Sequence, residues 1–259
     1  MALYDAAQAY ALAFSYRDIA AEVDAVLGWA APVLGRPVRS VLELAAGPAD
    51  HARDLVGRGL RATALDINPA MTELALAAGA ANGQRLRAVT ADMCAFTLDE
   101  QFDVAIMMID SIAHILDDAT LRSHFMCVAA HLTGGGCYVV ELSHPADSIA
   151  DQSLTTSAWT QAGDGESVSI RWGEPDDPTD AASGVTSVTV TMEHVRDGRD
   201  PVVINDVVAQ HAWLQDDLMA AMDGYFAPIA WYGSFDGVGL DNASAWRMIA
   251  VLQKSARNG

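Results

Sequence analysis

From Ser40 onward, short apolar runs alternate with helical stretches, and this alternation narrows the fold more than any other feature of the chain. VLELAA (41–46), ATALDI (62–67), LRAVTAD (86–92), FDVAIMMID (102–110) and CYVVEL (137–142) have the length and apolar character of buried strands. HARDLVGRG (51–59), PAMTELALAAGA (69–80) and DATLRSHFMCVAAHL (118–132) have helical periodicity. Parallel neighbours need long crossovers, usually helices, so this order predicts a Rossmann-like, doubly wound α/β fold. PIAWYGSF (228–235) and AWRMIAVLQ (245–253) supply two last strands, giving a mostly parallel sheet of seven.

The flanking segments differ in period. Residues 4–31 are Ala-rich with apolar positions at helical spacing until Pro32, Gly35 and Pro37 interrupt them. After Pro145 the pattern alternates every second residue, over 167–175, 185–195 and 202–213, which predicts an antiparallel insertion after strand five. The expected organisation is an N-terminal helical cap (1–39), a cofactor-binding core (40–150), the β insertion (151–213) and a closing helix with two core strands (214–259).

The 259 residues hold 15 basic and 34 acidic side chains, a net charge of −19, and Lys254 is the single lysine. Such a surface repels phosphate backbones and anionic lipid, so neither nucleic acid nor membrane is expected as a partner. Cys94, Cys127 and Cys137 have no paired or metal-ligand spacing, and no leader or 18-residue apolar window stands out, so a cytoplasmic protein is expected.

The chemistry concentrates at strand ends. Glu43-Leu44-Ala45-Ala46-Gly47-Pro48-Ala49-Asp50 leaves a strand and opens a helix, where backbone N–H groups meet ligands and small residues allow close approach. Asp66 ends the next strand 19 residues past Gly47, a spacing suited to accepting two ribose hydroxyls. Asp92 ends the third strand beside Met93, where an exocyclic amine could bond while its ring lies on apolar side chains. A pyrophosphate would need more glycines and free N–H donors than this turn offers, since Pro48 has none and Asp50 repels it. S-adenosylmethionine carries no phosphate and a cationic sulfur, which suits an acidic turn and points to methyl transfer. A nicotinamide-dependent oxidoreductase is disfavoured by the lack of a lysine for a Tyr/Lys pair; a non-catalytic nucleoside-binding module is a further alternative.

VLELAAGPADHA, ALDINPAM, TADM and FDVAIMMIDSIAHIL…LTGGGCYVVEL resemble the successive motifs of class I S-adenosylmethionine-dependent methyltransferases over about residues 40–145. Arg17-Asp18-Ile19-Ala20-Ala21-Glu22 and Ser111-Ile112-Ala113-His114 resemble in particular bacterial amino-sugar N-methyltransferases. The resemblance implies that Glu43, Ala45, Gly47 and Ala49 surround the methionine part of the cofactor, although Ala45 and Ala49 stand where the family has glycine. It implies that Asp66 takes the ribose, Ile67 and Met71 flank the adenine, Asp92 and Met93 meet its edge, and Tyr10, Tyr16 and Arg17 close over the cofactor. His114 falls near the acceptor, and its ordinary pKa of about 6.5 suits a general base; Asp110 could hold an ammonium or orient His114, and Tyr10 could donate across the acceptor. Asp110, Glu141 and His144 lie at strand ends where a metal could bind, but Glu141 and His144 face opposite sides of an extended segment, so no metal is expected. The expected partner is a small-molecule acceptor, methylated on nitrogen or alternatively on oxygen or carbon, and a homodimer through the inserted sheet is plausible from its alternating faces.

Overall fold

A computed structural model of the protein describes residues 2–144 and 157–256. Seven strands form the central sheet: β1 (Ser40–Leu44), β2 (Arg61–Asp66), β3 (Arg87–Thr90), β4 (Phe102–Met107), β5 (Leu132–Ser143), β10 (Phe226–Tyr232) and β11 (Arg247–Lys254). Their order is β10-β11-β5-β4-β1-β2-β3. The five from β5 to β3 are mutually parallel, and β11 and β10 add antiparallel pairings. The expected Rossmann-like fold is therefore present. Strand order reverses between β1 and β4, and a crevice opens there beyond the carboxyl ends of both strands.

Alternation along each strand distributes the core to both faces. Leu42 and Leu44 of β1 pack with Phe102, Phe125 and Tyr138 beneath α5 (Asp118–Ala130) and α6 (Gln215–Met222). Val41, with Val104 and Val139, packs on the opposite face with Val23, Ala52 and Ala75. These last come from α2 (Ile19–Leu34), α3 (Asp50–Gly57) and α4 (Pro69–Ala81).

The insertion is a separate antiparallel sheet, β6-β7-β8-β9, made of Ser157–Gly163, Glu166–Trp172, Val185–Arg196 and Val202–His211. Its first strand has no apolar alternation and was not expected from the sequence; it forms because β7 offers it a partner from Ser157↔Trp172 to Gly163↔Glu166. The leading segment is likewise not one helix. A 3-10 turn at Leu3–Asp5 and α1 (Ala7–Ala13) bury Leu3, Ala9 and Ala13 against Val168, Ile170, Val190 and Met192 of the insertion, while α2 packs on the main sheet. Helix α2 runs through Pro32, forgoing the one backbone bond that residue cannot donate, and ends instead at left-handed Gly35 (φ 65°). The fourth core strand ends earlier than expected, at Met107, since Ile109 and Asp110 take left-handed conformations (φ 57° and 55°). Among the described residues no helix is long and apolar enough to cross a membrane.

Candidate active site

The turn from β1 into α3 is built on alternate left-handed residues, Ala45 (φ 48°), Gly47 (φ 52°) and Ala49 (φ 59°). Only Gly47 takes such a conformation without strain, so the two alanines cost about 1–2 kcal/mol each. The bend is fixed from the neighbouring strand. Ala46 N donates to the Leu65 carbonyl at 2.9 Å. Gly47 N donates to Asp66 Oδ2 at 2.7 Å, and Asn68 N to Oδ1 at 2.8 Å. Asp66 thus holds the turn and still faces a cavity of about 990 Å³. A Cβ built at Gly47 would meet no atom within 4 Å, so the main chain there lies open to a ligand. Burial raises the Asp66 pKa, with the two backbone N–H groups opposing that shift.

Glu43, Ala45, Gly47, Asp66, Ile67, Met71, Asp92 and Met93 all line this cavity. Ile67 is 69% exposed, an apolar surface with no protein covering it. Asp92 Oδ1 accepts from Cys94 N at 2.8 Å. Ala49 does not line the cavity; fully buried, it packs beneath the turn with Ala52 and Leu55.

Behind the turn lies a buried network of charge. Glu43 Oε2 accepts from Ala52 N at 2.7 Å, and His51 lies between Glu43 Oε1 (3.2 Å) and Glu22 Oε2 (2.7 Å). Burial opposes the charged imidazole, yet the two carboxylates prevail and lift the His51 pKa to about 9. Arg17 donates through Nε to Glu22 and through both terminal nitrogens to Glu141, at 3.0 and 2.8 Å. Its side chain is 2% exposed. It borders the cavity, but its guanidinium is spent on locking the N-terminal segment to β5. Glu141 also accepts from Ile109 N at 2.8 Å and pairs with Arg247 at 3.2 Å. These cations, Arg17 foremost, hold it below its ordinary range although burial pushes the other way. With its oxygens so engaged Glu141 has nothing to offer a metal, and among the described residues no cluster of His, Cys, Asp and Glu could hold one.

The cavity is also bounded by Asp110 and His114, and by Tyr10 and Tyr16 of the N-terminal segment. Asp110 immediately precedes the 3-10 turn Ser111–His114, and its side chain accepts from Ser143 Oγ at 2.7 Å. Burial raises its pKa to about 6 despite that bond. Burial also lowers the His114 pKa, so its imidazole is neutral at neutral pH. Tyr10 stacks on Phe14 with ring centroids 4.5 Å apart. Tyr16 is 48% exposed. Trp159 and Trp172 of the inserted sheet complete an aromatic wall around Phe14.

Two contributors were missed from sequence. Tyr4, whose hydroxyl is 3.0 Å from His114 Nε2, lies 110 residues away from it in the chain. Trp159 belongs to the strand that lacked a β pattern. Nothing local marks either one.

Residues 41–136 match the family described as a methyltransferase domain. No curated protein matches the chain. Among solved structures, the chain is similar to an S-adenosylmethionine-dependent methyltransferase from Clostridium acetobutylicum, with 17% identity, a TM-score of 0.77, and coverage of 95% of this chain and 96% of that one. A sugar N-methyltransferase from Streptoalloteichus sp. matches at 21% identity and TM-score 0.70, covering 91% and 88%. An amino pentose methyltransferase from Micromonospora echinaspora matches at 18% identity and TM-score 0.68, covering 92% of each. At these identities the likeness establishes the common fold.

Proposed function

We propose that the chain is an S-adenosylmethionine-dependent methyltransferase that methylates the nitrogen of a small amine, a reading supported by the methyltransferase-domain match over residues 41–136. The observation that carries this reading is the joining, in one cavity of about 990 Å³, of the open turn at Gly47 and the carboxylate of Asp66 with a buried carboxylate and a neutral imidazole, Asp110 and His114. Bound there, the cofactor supplies an electrophilic methyl group on a cationic sulfur. The protein aligns donor and acceptor and keeps water out, effects that can supply about 7 kcal/mol or more of the barrier.

Asp66 accepts the ribose hydroxyls, Ile67 and Met71 flank the base, and Asp92 with Met93 meets its edge. Glu43, Ala45 and Gly47 surround the methionine end; Ala49 supports the turn from below. Tyr16 and Tyr10 cover the cofactor from the N-terminal segment, which Arg17 holds in place.

An amine reaches the site mostly as an ammonium and must be neutral when it attacks. Asp110, ionised above about pH 6, attracts the cation. His114, neutral at working pH, is positioned to take up its proton. Among the described residues, the two arginines that line the cavity, Arg17 and Arg247, both pair with Glu141, which favours a cationic rather than a phosphorylated acceptor. Two of the similar structures are a sugar N-methyltransferase and an amino pentose methyltransferase, which supports nitrogen as the nucleophile. In this arrangement the described residues of the N-terminal segment (2–39) and of the insertion (157–213) form the acceptor wall over a cofactor-binding core, the expected boundary at 150–151 lying outside the described residues.

Incubation with isotopically labelled cofactor and pooled amines and phenols, followed by mass spectrometry, tests the reading. Methyl label on an amine nitrogen is expected. Label confined to phenolic oxygen or to carbon would overturn the choice of nucleophile, and absence of product across all classes would favour a binding module.

A further inference from the structure

We propose that Tyr4 is the group that meets the acceptor, and that it passes the acceptor's proton to His114 as a two-member relay. This rests on the reading of the cavity as a methyl-transfer centre whose acceptor loses a proton.

The geometry leaves His114 little freedom to act alone. Its Nε2 is 3.0 Å from the Tyr4 hydroxyl, and the two rings meet edge to face with centroids 5.7 Å apart. With the ring proton on Nδ1, Nε2 is the acceptor that faces the Tyr4 hydroxyl. That nitrogen has one lone pair, and the Tyr4 hydroxyl occupies it. A phenol oxygen donates one proton and retains lone pairs. Tyr4 and His114 both border the cavity, and with Nε2 so occupied the Tyr4 oxygen is the atom of the pair with lone pairs left for a ligand.

Tyr4 is also fixed from both sides. Leu3, fully buried in the insertion's core, donates its N–H to Asp206 Oδ2 at 2.7 Å. Asp5 accepts from Asn68 Nδ2 at 3.1 Å, beside Asp66. The hydroxyl thus lies between the cofactor end and the inserted sheet. Burial, with Tyr10, Asp66 and Asp206 around it, disfavours a free phenolate, so Tyr4 serves as a conduit and not as a standing base.

The proton balance closes. The acceptor's N–H⁺ bond breaks as a new O–H bond forms on Tyr4, while the original Tyr4 proton bonds to His114 Nε2. A neutral amine with a free lone pair, a neutral tyrosine and an imidazolium result, and the imidazolium later returns its proton to solvent. A phenol acceptor would lose its proton by the same route.

Tyr4→Phe keeps the ring and removes the hydroxyl. Turnover of whichever acceptor the screen identifies is expected to fall roughly 10²-fold, with affinity for S-adenosylhomocysteine unchanged. His114→Gln is expected to fall similarly, and the double variant to lose little more than either single one, because the two act as a unit. Multiplying losses, or full turnover in Tyr4→Phe, would overturn the relay. Nitrogen-15 NMR of the ring needs no acceptor: Nε2 of His114 should shift in Tyr4→Phe while its tautomer persists, and an unchanged Nε2 resonance would overturn the proposal. A phenolic product with non-multiplying losses would instead refute the amine reading and retain the relay.

Discussion

The two ends of the cavity are built on opposite plans. At the cofactor end, ligand-facing groups come from successive strand ends within residues 43–93, and each is anchored to backbone: Gly47 and Asn68 to Asp66, Cys94 to Asp92, Ala52 to Glu43. At the acceptor end they come from the N-terminus, the turn after β4 and the inserted sheet, and side chains hold one another. A parallel sheet must bring its strand ends together, so the first end follows from topology. The second depends on contacts spanning more than a hundred residues, which leaves it free to differ in proteins that share the fold.

The same contrast marks two neighbouring carboxylates. Glu141, faced by Arg17 and Arg247, is held ionised, whereas Asp110, with a hydroxyl as its nearest partner, has its pKa raised to about 6. One joins the two halves and the other is left for a ligand.

The largest expected effect comes from cutting that joint. Arg17→Met should remove the cation that Glu141 and Glu22 share, leaving them only Arg247 and His51 respectively, and destabilise the fold by about 3 kcal/mol in chemical denaturation. A loss below about 1 kcal/mol would show that the ends are not coupled through Arg17. Next is Asp66→Ala, which should weaken cofactor binding by a few kcal/mol, as charge-assisted hydrogen bonds contribute about 1.5–3 kcal/mol each. Calorimetry giving wild-type affinity would remove Asp66 from the ribose site.

His51 gives a pH signature. Its folded-state pKa of about 9 lies above the ordinary histidine value, so its stabilisation is complete below about pH 6.5 and lost as pH rises through 9. Melting curves should show an alkaline decline between those limits that flattens in His51→Gln; an identical decline in both proteins would assign it elsewhere. The smallest change is expected from Ala45→Gly, which relieves left-handed strain at φ 48° and should stabilise by about 0.5–1 kcal/mol. Destabilisation would mean that the Ala45 methyl group contributes packing that outweighs its strain.

The sequence disclosed the cofactor end better than the acceptor end, for physical reasons. Parallel strands are buried on both faces and appear as unbroken apolar runs, so the position of Asp66 and the turn at Gly47 could be located from spacing alone. The conformation of that turn could not, and Ala49, small like its neighbours, goes into the core and not the cavity wall. Strand β6, SAWTQAG, lacks branched alternation because it is formed by pairing with β7 rather than by burying one face. Arg17 stood out in the N-terminal segment, but a cation's role is decided by its partners, and Glu141 is 124 residues away. Tyr4 was hidden in the same way by its distance from His114.

The central claim is that a phosphate-free nucleoside sulfonium binds against Gly47 with its sugar on Asp66. Titration calorimetry of the unmodified protein with S-adenosylhomocysteine and, in parallel, with NAD tests it most directly. Saturable one-site binding of the thioether and no heat from NAD is the predicted result. Binding of NAD with no response to S-adenosylhomocysteine would contradict it.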